Sequence, residues 1–567
     1  MCFSISGKSL SPYTGFEGEK TYTNQAGNLT ITDWNNNPSP KLNGKNLSFI
    51  SEYERSYSVD VTQDHNNIVF GTGWSVFCLN RTGDKQWETP APGVAFAVNI
   101  AGNDKSVISA FNDGSIRWFR MSDGKELLAL YAHPDNKRWI LWTPSGYYDC
   151  SPGAEDMIGW HVNNGADREA NYYPVSKFRS IYFRPDVIDK VIETLDEDEA
   201  LRVANLEGNR KSQQVTITQM LPPTISITSP ANGVQVFSNT VSINYRVYSP
   251  GNKPLLGVKT FIDGRPTEDA RGMKPTGEEG TVTVNIPSRD CKVSLIAESE
   301  HGFSDPAVIT LFWKGVVPDD VLKPKLYLLS IGISNYDKPE LKLNLAAKDA
   351  RDFSASLQKQ KGLLYGDVVT RLLTDKEATK DNILDGLDWL KSQTTSKDIA
   401  ILFIAGHGMN DNIGTFYFLP VGADPEKISR TCLMFAEIRN TVAATAGKII
   451  VFADACHSGN IMGGRRAVDV NGLVNELSSA ENGAIVFTSS TGKQYSLEEA
   501  SWGNGAFTKA LVEGINGKAD IFKNGSITIK SLDAYTAQRV KELTKGAQSP
   551  TTIIPNGVQD FPIAIIK

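Results

Sequence analysis

At 567 residues the chain is too long for a single hydrophobic core, and length alone argues for three or four domains. An apolar fraction of 40% and a charged fraction of 22% mark an ordinary globular protein with ample core-forming material. A formal net charge of −6 argues against a nucleic-acid-binding surface as its main business.

Residues 1–165 read as all-β and weakly repetitive. Asn43-Gly44-Lys45, Gly83-Asp84-Lys85 and Asp123-Gly124-Lys125 recur at intervals of 40, the last two after the similar strands Ser75–Asn80 and Ser115–Arg120. A period near 40 with turn residues in register is the pattern of propeller blades. The segments resemble degenerate WD40 repeats, although no Trp-Asp dipeptide is present. Three blades cannot close a ring, so either Arg138–Asp149 supplies a fourth blade or the propeller is open or remodelled.

Residues 166–218 change character. Apolar side chains at 187, 188, 191, 192 and 195 follow Pro185, a helical stripe with proline in the first turn. The acidic run Asp196–Glu199 reads as the solvated start of a second helix, and the region as a helical connector. From 219 to 318 short alternating strands (Thr224–Thr228, Val241–Tyr248, Val258–Ile262, Thr281–Ile286, Lys292–Ala297) are separated by turns such as Asp263-Gly264. This pattern predicts an immunoglobulin-like β-sandwich, a module without chemistry of its own.

Residues 323–567 alternate strand and helix. Strands are expected at Lys325–Ile333, Val368–Leu373, Ile399–Ile404, Lys448–Ala453 and Ala484–Ser489. Helices are expected at Ala346–Gln358, Lys380–Gln393, Met434–Ala446 and Gly505–Ile515. Apolar strands separated by amphipathic helices predict an α/β fold, a mostly parallel sheet covered on both faces. In such sheets, sites form beyond the carboxyl ends of the strands.

Two strand ends carry reactive side chains. Residues 401–408 read Ile-Leu-Phe-Ile-Ala-Gly-His-Gly and residues 450–459 read Ile-Val-Phe-Ala-Asp-Ala-Cys-His-Ser-Gly. Cys456 attacks as a thiolate, and an ordinary thiol is only a few per cent ionised at neutral pH. His407 can take that proton and return it to the leaving amine. Gly406 and Gly408 are expected to let the chain turn tightly and to leave the Gly408 N–H uncovered. The Gly408 and Cys456 N–H groups can then form an oxyanion hole, each donor worth about 2.7–4 kcal/mol. Taken singly, such a cysteine is an inert small hydrophobe and such a histidine a structural residue. Their joint placement carries the inference. His457 points elsewhere as the immediate neighbour of Cys456, and two histidines with one thiol lack a further ligand for a metal.

The segment Asp454-Ala-Cys-His-Ser-Gly, 49 residues after His407 in its Gly-His-Gly, resembles the clan of caspase-like peptidases, metacaspases and their bacterial relatives above all. Ile331–Tyr336, Ala346–Ala350, Thr488–Gly492 and Gly503–Thr508 support the resemblance, which covers about 325–567. It implies a cysteine endopeptidase working through Cys456 and His407, with Ser489 and Ser490 on the substrate side. It also implies a stress, programmed-death or defence setting. Caspases carry Gln two residues before the nucleophile. This chain has Asp454 there, and Asp349 matches the acidic residue of metacaspases. Two carboxylates at the first specificity pocket favour Arg or Lys and repel Asp, although Asp349 also reads as a helix-start carboxylate meeting the macrodipole. Arg465-Arg466 in the following glycine-rich loop is a candidate self-cleavage site or a solvated basic loop.

The leading expectation is therefore a protease gated by N-terminal β domains that bind a signal or a partner protein. The alternatives are a catalytically idle scaffold and an acyltransferase using the same dyad. Calcium dependence is common among metacaspase relatives, but no EF-hand loop is present and no cofactor is expected. Met1–Lys8 lacks the pattern of a secretory signal, and apolar runs such as Ile401–Ala405 and Ile449–Ala453 are too short to span a bilayer. The six cysteines lack CxxC or zinc-type spacing, as expected of reduced thiols in a cytoplasmic protein.

Overall fold

The computed structural model describes the chain except residues 1, 6, 12–14, 16–24, 27–28, 164–169, 211–216, 218–220, 251–253, 268–278, 300–301, 316–322, 412–414, 458–469, 480–482, 491–495, 556 and 567. Residues 455–457 enter through their backbone. The chain forms two compact units, Met1–Ser212 and Gln213–Lys567.

The first unit is built of antiparallel meanders in which sequence neighbours pair. One sheet holds Ser56–Val61, Asn67–Thr72, Ser75–Asn80 and Lys85–Pro90. A six-stranded sheet runs from Ala95–Ile100 to Tyr148–Cys150. The recurring turn motifs close hairpins: Gly83 and Gly124 take φ of 91° and 72°, a region that penalises a Cβ. The helices Pro185–Thr194 and Glu197–Glu207 lie in the stretch read as a helical connector. Val187, Ile188 and Val191 share one core with Trp118, Leu128 and Trp139, because their apolar stripe is buried against the six-stranded sheet.

In the second unit, residues Thr224–Trp313 form two facing sheets around Ile243, Tyr245, Val247, Val293, Leu295 and Leu311. Strand Thr240–Tyr248 alternates buried and exposed residues, the period-two pattern that marks one face as core.

The remainder is an α/β domain whose elements, in chain order, are β1 (Lys325–Gly332), α1 (Ala346–Gln358), β2 (Asp367–Thr374), α2 (Lys380–Gln393), β3 (Ile399–Asn410), β4 (Phe416–Phe418), β5 (Leu433–Met434), α3 (Phe435–Ala444), β6 (Lys448–His457), α4 (Val470–Leu477), β7 (Ile485–Thr488), α5 (Ala506–Glu513), α6 (Ile529–Leu543) and β8 (Thr551–Ile553). The strand order is β2-β1-β3-β6-β7-β8. All neighbours are parallel except β8, an antiparallel edge. Helices α2, α3 and α4 bury Leu387, Ile438, Val442 and Leu477 on one face. Helices α1, α5 and α6 bury Phe353, Phe507, Leu511 and Leu532 on the other. Both faces of the central strands are thus covered, which explains why Ile399–Met409 is buried without alternation.

Two features were not anticipated. Helix α6 begins with a reciprocal cap between Thr528 and Ser531, a signal present in the sequence. Strand β3 runs six residues past Ile404, because β4 pairs with its far end on one side and β6 stays in register on the other.

Candidate active site

The extended ladder sets the site. In β3 and β6, His407 lies opposite Cys456 and Gly408 opposite His457. Neighbouring strands are about 4.8 Å apart, and positions in register share a face of the sheet. His407 is buried, at 3% exposure. Its backbone N–H donates to the Tyr336 hydroxyl at 2.9 Å, and the Tyr336 ring lies 5.3 Å from the imidazole. The Nε2 atom is 2.9 Å from the Leu341 carbonyl oxygen. A carbonyl only accepts, so Nε2 carries the hydrogen and Nδ1 holds the lone pair. That is the tautomer a general base requires, fixed here by main chain instead of a carboxylate.

The glycines do not make a tight turn, since β3 passes straight through them. They are small because aromatic rings lie on them. A Cβ at Gly406 would come within 2.9 Å of the Tyr336 hydroxyl, and one at Gly408 within 2.5 Å of the Phe416 ring. Gly408 also pairs with Phe418 across β4.

Asp454 follows the period-two alternation onto the same face as position 456, two residues before it. This is the face covered by α1 and α5, and there Asp454 meets Asp349 from the first turn of α1. Both are buried, at 4% and 2% exposure. Ser496 Oγ donates to Asp454 Oδ1 at 2.5 Å and Thr508 Oγ1 to Oδ2 at 3.4 Å. Asn504 Nδ2 donates to Asp349 Oδ1 at 2.8 Å, and the Gly505 N–H to both its oxygens at 3.2 and 3.3 Å. A Cβ built on Gly505 would sit 3.1 Å from Asp349 Oδ2 and 3.5 Å from Asp454 Oδ2, so the glycine lets the backbone lie against both carboxyl groups. Burial, then the nearby Asp454, pushes the Asp349 carboxyl up to about 8, against the pull of Asn504 and Gly505. Burial likewise raises Asp454, opposed by Ser496, Ser489 and Thr508. The macrodipole of α1 would lower Asp349, so it is outweighed.

A third carboxylate, Glu498, accepts from the backbone N–H groups of Asn344 and Leu345 at 3.2 and 3.4 Å, capping the start of α1. Burial and Asp454 raise its pKa as well. Ser489 and Ser490 are buried beside this cluster and also line a cavity of ≈ 30 Å³ with Ile404, Phe416, Phe435 and Ala453. Arg465 and Arg466 lie outside the described residues. Among the described residues no group of three or more His, Cys, Asp or Glu side chains is placed to hold a metal ion.

The site thus adds Tyr336, the Leu341 carbonyl, Ser496, Glu498 and Asn504 to the residues foreseen. Tyr336 and Asn504 fall in stretches that carry the resemblance, but nothing in their spacing shows which partner each one holds.

Residues 326–558 match the family model described as the caspase domain. No curated protein matches the chain. Among solved structures, protein GSU0716 from Geobacter sulfurreducens is 17% identical, with 43% of this chain and 100% of that one covered. The TM-score between the two is 0.32. The sheet order, the paired strand ends and the family match converge on one assignment: residues 326–558 are a caspase domain, a member of a family of cysteine peptidases.

Proposed function

We propose that the protein is a cysteine endopeptidase that cleaves after Arg or Lys. The observation that carries the specificity is the pair Asp349 and Asp454, buried together beside Gly505. A guanidinium or ammonium group brought to this pair would favour the ionised form of both carboxyl groups, already held by Asn504 and Ser496. An aspartate side chain would add a third carboxyl group to a desolvated site.

In the catalytic cycle, His407 Nδ1 takes the Cys456 thiol proton and the thiolate attacks the scissile carbonyl. N–H groups at the strand end, those of Gly408 and Cys456, stabilise the oxyanion. The imidazolium then protonates the leaving amine, which departs as the new amino terminus and leaves a thioester. Water, losing its proton to His407, attacks the thioester; the carboxyl product leaves and the thiol is restored. The Leu341 carbonyl, accepting from Nε2–H, steadies the imidazolium in both halves.

Gating belongs to the same reading. Tyr53, Trp74 and Phe96 in the first unit are 82%, 55% and 60% exposed, the residue types that anchor protein partners. Arg465 and Arg466 supply basic residues that such an enzyme would cut in itself. The test is a peptide library of unbiased composition, with Cys456→Ala as control. Cleavage after Arg and Lys by the wild type alone supports the proposal, and cleavage after Asp overturns the pocket assignment. Intact masses of the two proteins after activation decide self-cleavage, equal masses dismissing it.

A further inference from the structure

A hairpin tip of the sandwich reaches the peptidase domain. Asp263 and Gly264 turn between strands Leu255–Ile262 and Arg265–Pro266 with φ of 49° and 79°. The tip seats on two other glycine-bearing segments. A Cβ on Gly264 would lie 2.5 Å from Val558 Cγ2, and one on Gly483 would lie 2.1 Å from the Gly264 carbonyl oxygen. Only chains without side chains at these points can approach so closely. Arg265, 5% exposed, then extends into the domain. Its Nη2 donates to the carbonyl oxygen of Val442 at 2.8 Å and to that of Thr445. One carbonyl belongs to the last turn of α3 and the other to its C-cap, where the helix dipole is negative and a guanidinium is favoured.

The other end of α3 faces the catalytic strands. Over seven residues the helix rises about 10 Å, from Val442 back to Phe435. Phe435 packs edge-on against Phe416, with ring centroids 6.3 Å apart. Phe416 is the ring that lies on Gly408, leaving no room for a methyl group. Phe435 and Phe416 also line the cavity shared with Ala453 on β6 and with Ser489 and Ser490. Apart from that cavity, the series is made of packed contacts and hydrogen bonds between buried groups, so a shift of α3 along its axis is passed on towards β3.

We infer that Arg265 is a positioning residue for the peptidase site: by anchoring the carboxyl end of α3 it keeps Phe435 against Phe416, and Phe416 against the Gly-His-Gly end of β3. The inference rests on the reading of His407 and Gly408 as catalytic machinery. It gives the sandwich a definite task, as the brace that completes the active site.

The test compares full-length wild type with Arg265→Met, which keeps volume and removes the donors, and Arg265→Lys, which keeps a charge. Val284→Ala, in the opposite sheet of the sandwich core, controls for a general loss of thermal stability without touching α3. For Arg265→Met the expected result is a kcat at least tenfold lower on an arginine peptide, with KM within twofold. Amide exchange at 407–410 and 435–445 should be at least tenfold faster. Arg265→Lys should fall between, and Val284→Ala should leave kcat and exchange at wild-type values. Should Arg265→Met not fold, Arg265→Lys alone decides, through a measurable fall in kcat and faster exchange at 407–410. Wild-type exchange at 407–410 in a folded Arg265 variant, or equal losses in Val284→Ala, overturns the inference. If the wild type cleaves nothing, the catalytic reading fails, while the exchange data still decide whether Arg265 holds the strand end.

Discussion

Binding of a basic side chain should release a proton. The Asp349 carboxyl is raised to about 8 by burial and by Asp454, so the empty pocket carries that proton at neutral pH. A guanidinium brought beside Asp349 reverses the balance, because its charge favours the ionised carboxylate. If binding demands ionised Asp349, affinity rises about tenfold per pH unit below pH 8 and then levels, a difference of about a hundredfold between pH 6 and the plateau. The perturbation is Asp454→Asn, made in a Cys456→Ala background so that nothing turns over. Without the neighbouring charge the Asp349 carboxyl ionises more readily and the release moves to lower pH. Losing one of the two carboxylates should weaken the plateau affinity by about 2–5 kcal/mol, the range for truncating one partner of a buried charge pair. Isothermal titration of an arginine-terminated peptide, in buffers of differing ionisation enthalpy, measures affinity and proton count together. Near one proton released at pH 7 by the Cys456→Ala protein, and fewer once Asp454→Asn is added, is the expected outcome. Affinity independent of pH from 6 to 8.5, with no proton released, would refute the paired-carboxyl argument.

The same carboxyl marks stability. Its pKa is raised in the fold, from 3.8 to about 8, so the stabilisation due to its bound proton is complete below about pH 4 and gone above about pH 8. Thermal scans should therefore show Asp349→Asn gaining on the wild type between pH 5 and 8.5, with a constant difference above that. Tyr336→Phe removes the hydroxyl that accepts the His407 N–H, at a cost of about 1–3 kcal/mol, and should lower both Tm and kcat. Gly408→Ala places a methyl 2.5 Å from the Phe416 ring and should cost about 1–3 kcal/mol in denaturant unfolding, part of which Phe416→Leu recovers.

Much of the C-terminal architecture was legible because buried parallel strands and amphipathic helices have different periods. The expected spans Ala346–Gln358 and Lys380–Gln393 coincide with α1 and α2. The length of β3 was not legible, since its last residues are Gly-His-Gly and depend on β4 and β6 for pairing. The role of the glycines was misread for a related reason. Sequence shows that Gly408 lacks a side chain, and only packing shows that the Phe416 ring occupies the space. Within the site, Asp454 was visible from its distance to Cys456, and Asp349 only through the resemblance to metacaspases. That both lie against Gly505 depends on contacts spanning more than a hundred residues. Arg265 was invisible altogether, because a hairpin residue that anchors a helix about 180 positions away leaves no local pattern.

The central claim is that Cys456 is a nucleophile served by His407 in a pocket built for cations. The most direct measurement is labelling by two peptide ketone electrophiles that differ only in their terminal residue, Arg or Asp, read by intact mass and peptide mapping. One adduct on Cys456 with the Arg reagent, little with the Asp reagent and none in His407→Ala is the predicted result. Equal or preferred labelling by the Asp reagent, or no adduct on Cys456 under any activating condition, would contradict it.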